Sequence, residues 1–457
     1  MSQPPKSLWW DSLSKPLKIR ESITSSLNFD VAIIGAGYTG LWSAYYLKQK
    51  EPNLNIGVFE GSVAGFGASG RNGGWCSALF PVGLDKLAKQ SNRETAIRMQ
   101  KTMFETVNEV GRIIEKENIE AEWQKGGSYS IARDEIQLKR AKAEANHFKE
   151  WGFNDDDFIF LNQIEAKNRI NASNILGTTF TPHCASINPA KLVRQLAEVV
   201  EKMGVKIFEN SKVTSFSKNQ VVVNNHEIKA NFIINATEAY RSDFKKYKRA
   251  SIPVYSLMIA TEPLSQDMWD EIGLKNRETF ADYRNVIIYG QRTKDNRFAF
   301  GGRGAPYHYG SKINPVFDQH EKTHHDLLET LVDIFPVIKG KKVTHTWGGP
   351  LAIARDWAAH VTFDKTSNIL SAGGYVGDGV GTSNLAGRTI SDLILNKETD
   401  LTNLPWVQHK SRNWEIEPFR WIGVNSTLQM AKIADVVEKK FKKETFVTKL
   451  LNKLRGH

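Results

Sequence analysis

The segment FDVAIIGAGYTG, residues 29–40, decides how this chain is read. Val31–Ile34 is a short apolar run that ends at a glycine, the pattern of a buried parallel strand. Gly35, Gly37 and Gly40 then form G-x-G-x-x-G, with Tyr38 and Thr39 inside it. The first glycine permits a tight turn, the second lets backbone approach a pyrophosphate, and the third lets the next helix pack close to the sheet. Thr39–Lys50 has helix composition and stops before Pro52, where a helix does not readily continue. Its N-terminal N–H groups and positive dipole end would face the phosphates. A second strand, Ile56–Phe59, ends at Glu60, twenty residues beyond Gly40. An acid at that place holds the ribose hydroxyls of an adenine dinucleotide. A glutamate rather than an arginine disfavours a 2′-phosphate, so NADP is set aside while NAD and FAD both stay open.

Working outward, 457 residues suffice for two domains with sizeable cores. A hydrophobic content of 40% and a charged content of 24% are ordinary for a soluble globular chain. The formal charge is +11, which suits nucleic acid, an anionic membrane or an acidic substrate. Because much of the lysine is scattered among acids, a solvated surface is the expectation, and no nucleic-acid partner is expected. No apolar run approaches the roughly 18–20 residues of a membrane span. The first 26 residues lack the apolar core of a secretory signal. Trp9 and Trp10 are expected to pack on the body. A cytoplasmic location is the expectation, with Cys76 and Cys184 as free thiols. Neither cysteine has metal-ligand spacing, and His324-His325 reads as a solvated face, so no metal is expected. The chemistry then falls to an organic cofactor.

The periodicity divides the chain into alternating blocks. Residues 29–84 form the first part of the dinucleotide domain, and 85–182 the first part of a second domain. In that block Asp85–Lys116 reads as one or two amphipathic helices, Gly126–Arg133 as a strand and Asp134–Trp151 as a helix. Residues 183–250 return to the first domain, through a helix entered at Asn188-Pro189 and strands ending at Phe232–Asn235 before Ala236-Thr237. Residues 251–343 are strand-rich and read as an antiparallel sheet, with a hairpin turning at Asp295-Asn296 and a helix over His320–Phe335. Residues 344–400 close the first domain with the strand Ile369–Ala372, a glycine-rich turn and a helix beginning near Ser383. That turn reads as a second phosphate cradle or as a contact to another polar part of the same cofactor. Residues 401–457 are a C-terminal extension. Its basic helix, Leu428–His457, is expected to lay an apolar stripe on the body, with a membrane-surface helix as the alternative.

These residues resemble the FAD-dependent oxidoreductases of the D-amino acid oxidase and glycine oxidase superfamily, nearest the branch containing γ-glutamylputrescine oxidase. The resemblance runs from about Phe29 to Asn396. It rests on GAGYTG with Glu60, on GFGASGRNGG (residues 65–74), on the Asn188-Pro189 helix with the strand ending NATEAY, and on AGGYVGDGVG. It implies an α/β fold in which a Rossmann-like FAD domain is assembled from three segments around an inserted, antiparallel-sheet substrate domain. It further implies that Gly35, Gly37, Tyr38, Thr39 and Gly40 hold the pyrophosphate and Glu60 the ribose. Ala68, Ser69, Arg71, Asn72, Gly73 and Gly74 would pass the flavin end, with Val213, Ala236 and Thr237 near the adenine side. Gly374, Gly377, Gly379, Val380 and Thr382 would present backbone N–H groups to the flavin pyrimidine, where anionic charge develops on reduction.

The activity implied is oxidation of a small amine or amino acid. Hydride passes to flavin N5, the imine hydrolyses to a carbonyl product, and O2 is the expected acceptor. Alternatives are a membrane-peripheral dehydrogenase that delivers electrons to a quinone or carrier, and an RNA-modifying flavoenzyme. Relatives that attach the flavin use a cysteine before the final glycine turn. Trp347–Thr366 contains none, so the FAD is expected to be non-covalent. Arg71, Tyr255, Tyr289 and Asp378 are the candidate catalytic residues. An arginine fork suits a carboxylate and an acid suits a cationic amine. Each has a structural alternative: a brace for the glycine loop, two core tyrosines, and a cap for the Thr382–Asn384 turn. Arg292, near the hairpin, is expected to be a surface charge.

Overall fold

A computed structural model describes residues 4–302 and 304–448. The first sheet is built on β1 (Leu27–Ile34), which pairs in parallel with β2 (Ile56–Phe59), itself parallel to β3 (Lys206–Phe208). On its other side β1 runs parallel to β4 (His226–Asn235), and β4 to β5 (Ile369–Gly373). Val31–Ile34 is fully buried, as a parallel strand covered on both faces requires. Helices α1 (Tyr38–Lys50), α2 (Arg93–Lys116), α3 (Pro189–Lys202) and α4 (Gly379–Ile394) contribute to the large core that covers this sheet. Asn188 caps α3 through its side chain, with Pro189 in the first helical turn.

Among the described residues the second sheet has eight strands. Its strand Ser251–Thr261 pairs antiparallel with the edge strand Val343–Ala354 on one side and with Phe298–Gly302 on the other. The hairpin read from the sequence is present, pairing Ile288–Arg292 with Phe298–Gly302, and Asn296 takes a left-handed φ of 63° in its turn. One pairing departs from the antiparallel expectation: Thr279–Asp282 lies parallel to Ser128–Ala132.

Four other expectations are corrected. Asp85–Lys116 forms two helices, Leu84–Gln90 and α2, and both bury their apolar faces in the core of the first sheet, although the sequence blocks put them with the second. Amphipathic periodicity says which face of a helix is covered and nothing about what covers it. The helix after the last glycine turn begins at Gly379 rather than near Ser383. His324 is buried, while His325 is exposed beside Glu329. Finally, the C-terminal helix α5 spans Phe419–Phe441 and stops where Lys442 turns left-handed. Its apolar stripe points away from the body, with Ile433, Val436 and Phe441 exposed. The predicted stripe positions Leu450, Leu451 and Leu454 lie outside the described residues.

The N-terminal arm behaves as expected. Trp9 and Trp10 are buried, and the Trp9 indole donates to the Asn72 carbonyl at 2.8 Å. Cys76 and Cys184 are free, buried thiols.

Candidate functional site

At the C-terminal ends of β1, β2 and β4 lies a cavity of about 310 Å³. Open α/β sheets bind ligands at this edge, because the helices that follow the strands present their N-termini there. Gly35, with φ +102°, makes the turn out of β1, a conformation costly for any residue with a Cβ. A Cβ on Gly40 would stand 2.1 Å from the Gly35 carbonyl oxygen and 3.0 Å from Ile33 Cγ2. The absence of that carbon is what lets α1 lie directly on β1. Gly37 precedes α1 and supplies no side-chain cap. The Tyr38 N–H instead donates to Ser69 Oγ at 2.9 Å, which ties the helix end to the second glycine loop.

Glu60 stands at the rim of β2. Its carboxylate accepts from the backbone N–H of Ala36 at 2.9 Å and of Ser62 at 3.0 Å. Burial nevertheless outweighs those bonds and raises its pKa. Val213, Ala236 and Thr237 line the same stretch of cavity, joined by Lys212, Asp243 and Phe244. Towards the other end the lining passes Ala68, Ser69 and Asn72 to Gly377, Gly379 and Val380 at the start of α4. The Asn72 side chain holds the loop in shape, accepting from Gly74 N–H at 2.8 Å and donating to the Ala68 carbonyl at 3.0 Å. Two helix N-termini thus open on one cavity, and the first turn of neither contains an acid to neutralise it.

Of the remaining expected cofactor positions, Gly40, Arg71, Gly73, Gly74, Gly374 and Thr382 are not among the lining residues. They stand behind it. Gly73 and Gly74 are clasped by the Gln291 side-chain amide, which donates to both carbonyls at 2.7 and 3.0 Å. Thr382 returns its hydroxyl to the Asp378 carbonyl at 2.7 Å, inside the first turn of α4.

The four candidate catalytic side chains each have their own hydrogen-bond partners. Arg71 is buried and fully engaged. It pairs with Asp318 at 2.7 Å, donates to the Gly348 carbonyl and the Tyr240 hydroxyl at 3.2 Å each, and lies over the Phe66 ring. Tyr255 sits in the core of the second sheet, its hydroxyl accepting from Asn314 N–H at 3.1 Å and its pKa pushed up by burial to about 12. Tyr289 packs edge-on against Trp75 and bonds Ser256 Oγ at 2.8 Å, and a Cβ on Gly73 would meet its ring at 2.5 Å. Asp378 precedes α4 without capping it by its side chain and accepts from Ser77 Oγ at 3.3 Å. Trp75 and Ser77 belong to one short strand, Trp75–Ser77, so Tyr289 and Asp378 flank the same backbone. Arg292 lies against Trp269 and donates to the Asn296 side chain, near the hairpin turn.

Sequence reasoning missed Glu238. It is an acid at a left-handed φ of 44°, immediately after Thr237, and it lines the cavity. Its carboxylate collects backbone N–H groups from Ala352 at 2.8 Å, Gly374 at 3.1 Å and Tyr375 at 3.2 Å. It therefore stitches the second sheet to the last glycine turn. Burial pushes its pKa up to about 7 against those donors. Nearby, Arg241 donates to His360 at 2.7 Å, and burial together with that guanidinium holds the imidazole down to about 3. An acid beside a strand-end Ala-Thr was the only signal of Glu238, and it gives no hint of partners more than 100 residues away.

Cavity, glycine turns and paired helix N-termini together define a dinucleotide-binding protein. The chain belongs to the DAO family of FAD dependent oxidoreductases, whose family model matches residues 30–393. It is 28% identical over 407 residues to a probable oxidoreductase, OrdL, of Haemophilus influenzae, covering 87% of this chain and 90% of that one. To the γ-glutamylputrescine oxidoreductase of Escherichia coli it is 28% identical over 379 residues, covering 82% and 85%. Among solved structures it is similar to glycine oxidase from Bacillus cereus, with a TM-score of 0.66 at 18% identity, covering 85% of this chain and all of that one. The fold and the FAD cofactor follow from this membership. Among the described residues no helix is long and apolar enough to cross a membrane.

Proposed function

We propose that the protein oxidises a small amine or amino acid, with non-covalent FAD in the cavity and O2 as electron acceptor. The single observation that carries this reading is the unbroken lining from Glu60, past Gly35 and Gly37, to the first turn of α4. A molecule with a ribose at one end and an electron-accepting ring at the other suits that lining. FAD, when bound, supplies the hydride acceptor. Every other requirement falls to side chains and backbone of this chain.

Glu60 would accept hydrogen bonds from the ribose hydroxyls. The backbone of Gly35 and Gly37 and the first turn of α1 bind the pyrophosphate. The start of α4, at Gly379 and Val380, presents backbone donors where negative charge develops. Arg71 and Tyr255 act by position: one fastens the second glycine loop to the second sheet, and the other fixes the segment that carries Asp318. Tyr289 and Asp378 flank the strand Trp75–Ser77 and are assigned to the substrate side. There the Asp378 carboxylate orients a cationic amine and the Tyr289 ring keeps water from it. No cysteine lies in residues 347–366, which supports a dissociable flavin.

The test is the absorbance spectrum of the purified holoenzyme under anaerobic titration with amines and amino acids, including γ-glutamylputrescine and glycine. Bleaching by one of them, with flavin released on acid precipitation and hydrogen peroxide formed on admitting air, supports the whole reading. Flavin that no amine bleaches overturns the substrate class. A second reading, electron delivery to a membrane quinone or carrier, is favoured by the outward apolar face of α5. Turnover with a soluble quinone and no peroxide on aeration would select it.

A further inference from the structure

The outer face of α5 is unusual in composition. Phe419, Ile422, Met430, Ile433 and Val436 recur at helical spacing, and Phe441 closes the row. All are exposed, Ile433 at 62% and Val436 at 69%. An amphipathic helix on a globular body normally buries such a stripe. Here the opposite face is the buried one, carrying Arg420, Ala431, Ala434 and Glu438.

The charges are sorted as sharply as the apolar residues. Every acid from Glu415 to Glu444 is engaged with the protein. Glu415 pairs with Arg355, and Glu417 accepts from Tyr307, Gly310, Arg420 and Trp421. Asp435 takes the backbone N–H groups of Asn285 and Val286, Glu438 binds Arg140 and Thr448, and Glu444 lies 3.7 Å from Arg140. The cations Lys439, Lys440, Lys442 and Lys443 are left exposed at the end of the stripe. The outward surface of α5 is therefore apolar and positive.

We propose that α5 is an interfacial helix that docks this protein on an anionic lipid bilayer, its apolar row entering the headgroup boundary and its terminal lysines meeting lipid phosphates. A stripe of large apolar side chains with flanking lysines is the composition such helices need. A second copy of the chain is the poorer occupant. It brings a second +11 charge against a face that is itself positive, whereas anionic lipid phosphates complement that face. The surface has a route to the brace of the second glycine loop. Lys432 and Asn425 of α5 hold the loop at Gly304 and Tyr307, and that loop runs on to Asn314 and Asp318, the partners of Tyr255 and Arg71. The proposal supplies the docking surface for the quinone reading above. It is tested without any acceptor, so failure of either leaves the other standing.

The experiment is flotation of the full-length holoenzyme with vesicles of equal parts phosphatidylglycerol and phosphatidylcholine, against vesicles of phosphatidylcholine alone. The expected result is binding to the anionic vesicles that weakens as salt is added. Ile433→Ser with Val436→Ser should lower the partition coefficient at least about tenfold, from lost apolar burial. Lys439→Gln with Lys440→Gln should lower it about fivefold per lysine. Flavin absorbance and the unfolding temperature should stay unchanged in both variants, which excludes misfolding as the cause. Absence of flotation with anionic vesicles at low salt overturns the proposal. So does a dimer in analytical ultracentrifugation that Ile433→Ser/Val436→Ser dissociates, since the face is then covered by a second copy.

Discussion

Arg71→Met is the most informative single substitution. The Arg71 side chain is 3% exposed and that of its partner Asp318 is 19% exposed, with 2.7 Å between their charged atoms. Removing one member of a buried pair strands the other and costs about 3–5 kcal/mol. Arg71 also releases the Gly348 carbonyl and the Tyr240 hydroxyl, so the upper half of that range is expected. Asp318 is not equivalent. Burial raises its pKa even with the guanidinium beside it, so it gains little by being charged. A stranded Asp318 can therefore take up a proton, whereas Asp318→Asn strands the more buried guanidinium, which stays charged, so a cost of about 3 kcal/mol or more is expected, and the double variant costs less than the sum.

The pH dependence follows in sign. An acid whose folded pKa lies above its unfolded value is most favourable to stability below the unfolded value, and that contribution is lost as pH rises through the folded one. Removing Arg71 raises the Asp318 value further. The penalty of Arg71→Met should thus be largest at neutral pH and shrink on acidification. Urea midpoints of the holoenzyme at pH 5 and pH 8, with flavin fluorescence as the second probe, measure it. On a scale of about 2 °C per kcal/mol, the neutral-pH loss corresponds to a fall of roughly 8–10 °C in unfolding temperature. If Arg71→Met leaves stability and flavin retention intact while KM rises, Arg71 binds substrate and the bracing argument is refuted. A cost for Asp318→Asn below about 1 kcal/mol would refute the pairing argument.

Gly40→Ala puts a carbon 2.1 Å from the Gly35 carbonyl and must lift α1 from β1; a loss of at least about 2 kcal/mol and flavin-poor protein on purification are expected. Glu238, with its pKa raised to about 7 from 4.5, favours stability below the unfolded value, and that contribution fades as pH rises to 7. The unfolding free energy should therefore fall by up to about 2.5 kcal/mol between pH 5 and pH 8 in the native chain. Glu238→Gln should flatten that profile, and an unchanged slope would show that the buried carboxyl does not titrate there. Tyr255→Phe removes one hydrogen bond in a buried core, so a loss of about 1 kcal/mol in stability with kcat/KM held within about twofold is expected from steady-state kinetics. A kcat/KM falling by more than tenfold at unchanged stability would return Tyr255 to the substrate site.

The sequence alone determined the elements whose function is written in consecutive residues. The first strand, its glycine turn, α1 and Glu60 lie within 34 residues, and each uses a residue type that local backbone geometry demands. The N-terminal tryptophans, the hairpin at Asn296 and the Pro189 helix were legible for the same reason. What only tertiary structure decided is what long-range partners supply. The helices of residues 84–116 join the first core because periodicity marks a covered face and not its cover. Arg71 is fastened by groups near residues 240, 318 and 348, so no spacing distinguishes a brace from a substrate anchor. Glu238 is identified by three N–H groups from remote turns, and α5 by an apolar face that the body leaves open. The physical reason is common to all four. Desolvation and charge pairing act through distance in space, which the order of residues along the chain does not encode.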